Sequence, residues 1–201
     1  MKHVLLVALL FGFASISTLR AAAEKLPLSD ISSYFNSFKT AQATFTQIND
    51  DGTISSGTLY ISRPGRMRFE YDPPEQALVL ASANAVVIID KKSNQPPETY
   101  PLNRTPLSLI LARQVNLDRA RMVTGHDFDG SATVVTAQDP DNADYGTIQM
   151  SFTDEPVQLR QWTINDANGG RTTVVLGDLE TGISLRNTLF DPGVALQSRE
   201  R

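Results

Sequence analysis

The sequence predicts a mainly β fold, a barrel or a sandwich of antiparallel strands with two helical interruptions, on three observations. Apolar residues recur with a period of two in many short segments. Asn, Asp, Gly and Pro collect between those segments, as in "DPDNAD" (139–144) and "NDANGG" (165–170). Only two stretches abandon the alternation for helical spacing.

The first of those stretches is 28–38, where Leu28, Ile31, Tyr34, Phe35 and Phe38 follow a 3-4-3 spacing, with Ser29 as N-cap and Asp30 in the first turn. The period then changes to two. In "GTLYISR" (57–63), Leu59, Ile61 and Arg63 share a face; in "RMRFEY" (66–71), Met67, Phe69 and Tyr71 alternate with Arg66, Arg68 and Glu70. Pro64-Gly65 is a turn signal between them, which predicts a hairpin. Further strands are expected at 77–81, 85–90, 132–138, 146–153, 159–165, 171–176 and 183–189. The second helical stretch is 103–117, with Thr105 as N-cap, Pro106 at the first helical position and the apolar residues Leu107, Leu109, Ile110 and Leu111. A helix so short and so apolar must bury itself over the mouth or concave face of the sheet.

Residues 1–23 read as an export signal. Lys2 and His3 form a positive start, 4–16 is an apolar run too short for the roughly 20 residues a membrane span needs, and Ala21-Ala22-Ala23 offers a small-residue cleavage site. One domain, 24–201, is expected after cleavage, exported, without an N-terminal lipid-bearing Cys or a later spanning segment. The chain has 18 Lys+Arg and 22 Asp+Glu; without Lys2 and Arg20 the basic count falls to 16 and the net charge to about −6, which argues against nucleic acid as a partner. With no cysteine, stability has to come from packing.

A catalytic reading does not find its residues. His126 is the single histidine after residue 23, there is no Cys and no G-x-S-x-G, so His126 is expected to be a loop residue without special chemistry and the protein is not expected to be an enzyme. Asp139, Asp141 and Asp144 resemble the start of a calcium loop, but Ala143 takes the place of a ligand; a polar turn is the expectation, with no metal and no cofactor. What stands out instead is that "ALVLA" (77–81), "AVVIID" (85–90) and "TTVVL" (172–176) are apolar on both faces. One face would pack on a helix while the other fills a core or lines a cavity, and periodicity does not choose between core and cavity.

The motifs "FTQ" (45–47), "GTLYISRPGRMRFEYDPP" (57–74), "RTPLSLILAR" (104–113), "TINDANGGRTTVVL" (163–176) and "FDPGV" (190–194) together resemble the LolA family of periplasmic outer-membrane lipoprotein carriers, in order and spacing over essentially all of 24–201. The resemblance implies an α+β fold, mainly β: a strongly curved, incompletely closed antiparallel half-barrel with an N-terminal helix and a short helical lid over an apolar cavity. It implies a periplasmic chaperone that takes acylated lipoproteins from an inner-membrane ABC-type release complex to an outer-membrane receptor, acting as a monomer. A periplasmic binder or sensor of other lipids or acylated proteins is the alternative on the same fold.

By the same resemblance Arg63 is the lid latch and Thr105, Pro106, Leu107, Leu109 and Ile110 form the lid helix. Leu59, Ile61, Met67, Phe69 and Tyr71 are expected to line the acyl-binding cavity, and Pro64, Gly65 and Arg66 to form a rim for partner docking. Three features depart from the family pattern. Leu107 stands where many members carry Phe, 86–90 is aliphatic where an aromatic-rich strand is common, and Asn84 replaces a turn glycine, so the cavity is expected to be more aliphatic.

Overall fold

A computed structural model describes residues 24–197 apart from Gln76, Lys91, Ser93, Asn94, Pro106, Ala167 and Asn168. The expected export signal at 1–23 lies outside the described residues, as does Pro106. Helix α1 (Leu28–Asn36) is followed by β1 (Thr40–Ile48), β2 (Ile54–Ser62), β3 (Arg66–Tyr71), β4 (Ala77–Ser82), β5 (Ala85–Asp90) and β6 (Glu98–Pro101). The short α2 (Leu107–Ile110) sits between two 3-10 turns, Leu102–Arg104 and Leu117–Arg119. Strands β7 (Val123–Phe128), β8 (Thr133–Gln138), β9 (Thr147–Thr153), β10 (Gln158–Asn165), β11 (Arg171–Leu176) and β12 (Glu180–Thr181) follow, and the chain closes with a 3-10 turn at Asn187–Phe190 and α3 (Pro192–Gln197).

All strand pairs are antiparallel, in the order β6-β5-β4-β3-β2-β1-β11-β10-β9-β8-β7, with β12 also on β1. Two meanders, β1–β6 and β7–β11, therefore join through the β1–β11 pair, which runs from Phe45↔Leu176 to Ile48↔Thr173. The sheet does not close: β6 and β7 are its two free edges. The chain that leaves one edge and enters the other carries α2, so the lid is the connection that bridges the gap.

Local chemistry explains the hairpins. The β4–β5 pair turns through Ala83 (φ 49°) and Asn84 (φ 62°), two left-handed residues in the two-residue loop that suits the twist of the strands. Asn tolerates that region, so the missing glycine at 84 is absorbed. Gly57 is a different case. Its pairing places it between Phe45 and Tyr71, and a Cβ there would lie 2.1 Å from the Glu70 carbonyl oxygen and 2.8 Å from the Phe45 ring. The "FTQ" and "GTL" motifs are thus one feature, an aromatic ring seated on a glycine.

The sheet packs on both faces. Inside, α1 and the lid cover a core that includes Ile31, Phe35, Phe45, Leu59, Met67, Phe152 and Trp162. Outside, Leu78, Leu80 and Ile89 pack with Phe190, Ala195, Leu185 and Leu189 of the C-terminal segment. That is why β4 and β5 are apolar on both faces. It also corrects the strand expected at 183–189: the apolar residues there meet side chains of the outer face, while β1 already has β2, β11 and β12 as its hydrogen-bonding neighbours.

Other corrections are local. Helix α1 ends at Asn36, with Phe38 buried just beyond it. Its N-cap is the extended Pro27, whose carbonyl accepts from the N–H groups of Asp30 and Ile31 (3.1 and 3.3 Å), while the Ser29 hydroxyl turns to the Asp30 carboxylate (3.2 Å). The Thr105 hydroxyl donates to the Leu102 carbonyl (2.9 Å), and its own carbonyl accepts from Ser108 N–H (3.0 Å), so Thr105 caps α2 through its backbone. His126 lies in edge strand β7 rather than a loop, its Nε2 paired with the Leu26 carbonyl (2.8 Å). With Leu26 N–H donating to the Thr133 hydroxyl (2.8 Å), it ties the segment ahead of α1 to the sheet.

Candidate functional site: a lidded apolar cavity

Between the lid and the half-barrel lies a cavity of about 280 Å³. Its walls come from eight strands and the lid, among them Phe69 and Tyr71 of β3, Val79 of β4, Val86 and Ile88 of β5, Trp162 of β10 and Val174 of β11, together with Leu107. Tyr100, Tyr145 and Ile164 stand at its mouth and are partly exposed. The aromatic wall is a run of edge-on ring contacts. Phe45 meets Phe69 and Tyr71 edge-on at 5.2 and 5.0 Å, and Phe69 meets Trp162 at 5.7 Å. The facing wall of Val79, Val86 and Ile88, with Leu107 above it, is aliphatic, as the departures at 86–90 and 107 predict.

Tyr71 sets a polar group into the otherwise apolar side of this wall. The Tyr71 hydroxyl donates to Gln47 Oε1 at 2.6 Å. Burial pushes the phenol up to about 12, so it stays protonated throughout the physiological range.

A buried cation bonds to the segment just past the lid helix. Arg63 follows β2 directly and is 7% exposed. Its Nε and one terminal nitrogen donate to the Ala112 carbonyl just past α2 (3.1 and 2.8 Å). The other terminal nitrogen donates to the carbonyls of Phe35 and, at 3.2 Å, Phe38 at the end of α1. Asn36 completes the set: its Oδ1 accepts from Arg63 (3.2 Å) and from Val115 N–H (2.9 Å), and its Nδ2 donates to the Val115 carbonyl (2.8 Å). The acceptors lie at helix C-termini, where the dipole favours a cation. Burial draws the guanidinium below its ordinary value, yet a forked donor with so high a starting point remains charged. Gly65 adds a further link, its N–H donating to the Leu111 carbonyl at 2.8 Å.

The expected site residues divide. Arg63, Thr105, Leu107, Phe69 and Tyr71 come together around cavity and lid, and Leu109 packs on the core. Leu59, Ile61 and Met67 share the inward face but fill the packed core instead of the cavity wall, and Ile110 is buried with them. At the expected rim, Pro64 is exposed, while Arg66 is engaged: it donates to Asn187 Oδ1 (2.8 Å) and the Ser62 hydroxyl (2.8 Å), and stacks over the Phe190 ring at 5.3 Å. Among the residues not singled out from sequence are Asn36, Gln47, Trp162 and Val174. The double-faced apolar run 172–176 was the available signal for the last of these.

The family model described as "Outer membrane lipoprotein carrier protein LolA" matches residues 36–192, which span the sheet, the latch and the lid. The chain belongs to the LolA family. Similar relatives include outer-membrane lipoprotein carrier proteins of Methylococcus capsulatus, 25% identical over 93% of this chain and 90% of that relative, and of Coxiella burnetii, 24% identical over the same shares. Among solved structures, a putative outer membrane lipoprotein-sorting protein domain from Vibrio parahaemolyticus has the same fold, with a TM-score of 0.51 at 10% identity over 88% of this chain and 98% of that one. In this LolA-family chain the hydrogen bonds of Arg63, Asn36 and Gly65 join α1, the segment that carries α2 and the β2–β3 turn.

Proposed function

We propose that this protein is a periplasmic chaperone for lipoproteins. It binds the acyl chains of lipoproteins released from the inner membrane by an ABC-type complex and, as a monomer, delivers them to a receptor on the outer membrane. The observation that carries this reading is an apolar cavity closed by a lid that one buried arginine holds on backbone carbonyls. The names of its relatives support the cargo class.

Physical chemistry says why such a device is needed. At about 0.8 kcal/mol per methylene, exposing one long acyl chain to water costs on the order of 10 kcal/mol. A carrier must offer an apolar site that opens and shuts. At about 280 Å³ the closed cavity falls at the lower end of ligand sites, so a cargo with more than one chain enters only as the lid lifts. The role is one of binding and not of catalysis. Pro64 and Gly65, at the exposed turn beside the latch, are where a partner can sense whether the lid is shut; Arg66 supports that turn from its bonds to the C-terminal segment.

The test is a release assay. Spheroplasts incubated with the protein are expected to yield soluble complexes of newly made lipoprotein with it. A folded protein that releases none, and that carries another lipid or nothing when examined by native mass spectrometry, would move the function to the binding of other lipids.

A further inference from the structure

Tyr71 begins a hydrogen-bonded chain that runs from the cavity to the surface in one direction. Its hydroxyl donates to Gln47 Oε1 (2.6 Å); Gln47 Nε2 donates to Asn49 Oδ1 (2.8 Å); Asn49 Nδ2 donates to the Thr53 hydroxyl (2.9 Å); and that hydroxyl donates to the Asp51 carboxylate (2.7 Å). An ionised carboxylate has no proton to give, so it fixes the polarity of every bond behind it. The proton of Tyr71 is therefore committed outward. No described donor reaches the phenol oxygen, so the lone pairs it offers to the cavity are free to accept. Tyr100 at the mouth repeats the pattern, its hydroxyl donating to the Glu98 carboxylate at 2.6 Å. Tyr100 is 40% exposed and its oxygen is shared with water, whereas Tyr71 lies inside the wall.

Resting on the carrier reading, we propose that Tyr71 reads the head of a bound acyl chain as an acceptor-only contact, so that the cavity selects chains joined through an amide N–H over chains joined through an ester. An ester brings only acceptors and would set its oxygens against the lone pairs of Tyr71. A secondary amide brings a donor whose burial is costly unless it is met. The threonines of the wall differ: Thr105, whose hydroxyl donates to the Leu102 carbonyl, also presents only lone pairs, whereas Thr172 and Thr147 carry hydroxyls that rotate to either role, Thr147 while accepting from Asn165 Nδ2 (3.3 Å).

The test is displacement of an anilinonaphthalene dye by two chains of equal length, N-methylpalmitamide and methyl palmitate, from the wild type, Tyr71→Phe and Gln47→Leu. Because the two probes differ in polarity, the quantity read is the ratio of their affinities, compared between proteins. Tyr71→Phe keeps the ring on Phe45 and should lower the amide-to-ester ratio roughly three- to tenfold, the value of one neutral hydrogen bond. Gln47→Leu frees the Tyr71 proton and should narrow the ratio by strengthening ester binding. A ratio unchanged in Tyr71→Phe, or an ester affinity unmoved in Gln47→Leu, overturns the assignment while the carrier reading stands. If neither probe displaces dye from the wild type, both fall together.

Discussion

Replacing Arg63 by leucine should make the protein bind apolar chains more tightly. In the closed state the guanidinium contacts three carbonyls and one amide oxygen, through bonds of 2.8 to 3.2 Å to Ala112, Phe38 and Asn36 and a further one to Phe35. Hydrogen bonds to a charged group contribute about 1.5–3 kcal/mol each, but taking a guanidinium out of water costs several kcal/mol, so the latch nets about 1–2 kcal/mol in favour of closure. Cargo has to overcome that amount on entry. Its removal raises apparent affinity by about 5–30-fold, because the fraction of open protein rises by that factor. The same argument makes handover worse, since closing the lid no longer helps to expel the chain. Dye titration measures the first effect, transfer to an acceptor the second, and hydrogen exchange at 107–115 should report a lid that opens more often. Unchanged affinity, with unchanged exchange at those amides, would refute the latch.

Three further outcomes follow from the geometry. Gly57→Ala should lose about 2–3 kcal/mol of stability, because neither the Glu70 carbonyl nor the Phe45 ring has room to yield; a denaturant melt checks it. Ala83→Gly should gain about 0.5–1 kcal/mol by relieving a left-handed alanine at φ 49°, and a higher melting temperature is the readout. Tyr71 has a folded value of about 12 against an ordinary 10.0, so the folded state holds the proton more tightly. Its contribution is complete below pH 10 and is lost as pH rises towards 12. The loss is about 2–3 kcal/mol by linkage, and Tyr71→Phe should show a correspondingly flatter decline in denaturant melts across that window.

Strands that alternate strongly were legible in the sequence. The β2–β3 hairpin and β8 to β10 lie where the period and the turn residues put them, because a strand with one face buried must show its pattern locally; β4, β5 and β11, apolar on both faces, were legible as short apolar runs bounded by turn residues. Strands β1, β6 and β7 were not legible. β1 places the small Ala41 and Ala43 on its inward face, β6 is exposed at every residue, and β7 is broken by a register shift between Val123 and Gly125. Edge and centre strands of this kind are held by their neighbours, and a neighbour is not a local property.

The site shows the same division more sharply. That Arg63 shares a face with Leu59 and Ile61 follows from a period of two, and its role as latch came from the family resemblance. Which half of that face is cavity and which is core was decided by the tertiary structure alone. Leu59, Ile61, Met67, Phe69 and Tyr71 alternate identically, but the Arg63 end of their hairpin is the end that α1 covers, as its bonds to the Phe35 and Phe38 carbonyls show. The inward side chains there belong to the buried core, and the apolar cavity lies towards Phe69 and Tyr71. The sequence by itself determined how each strand divides into two faces. The packing of one helix across the sheet decided where the inner face is left empty, because a void is a property of what fails to fill the space opposite and no single strand records it.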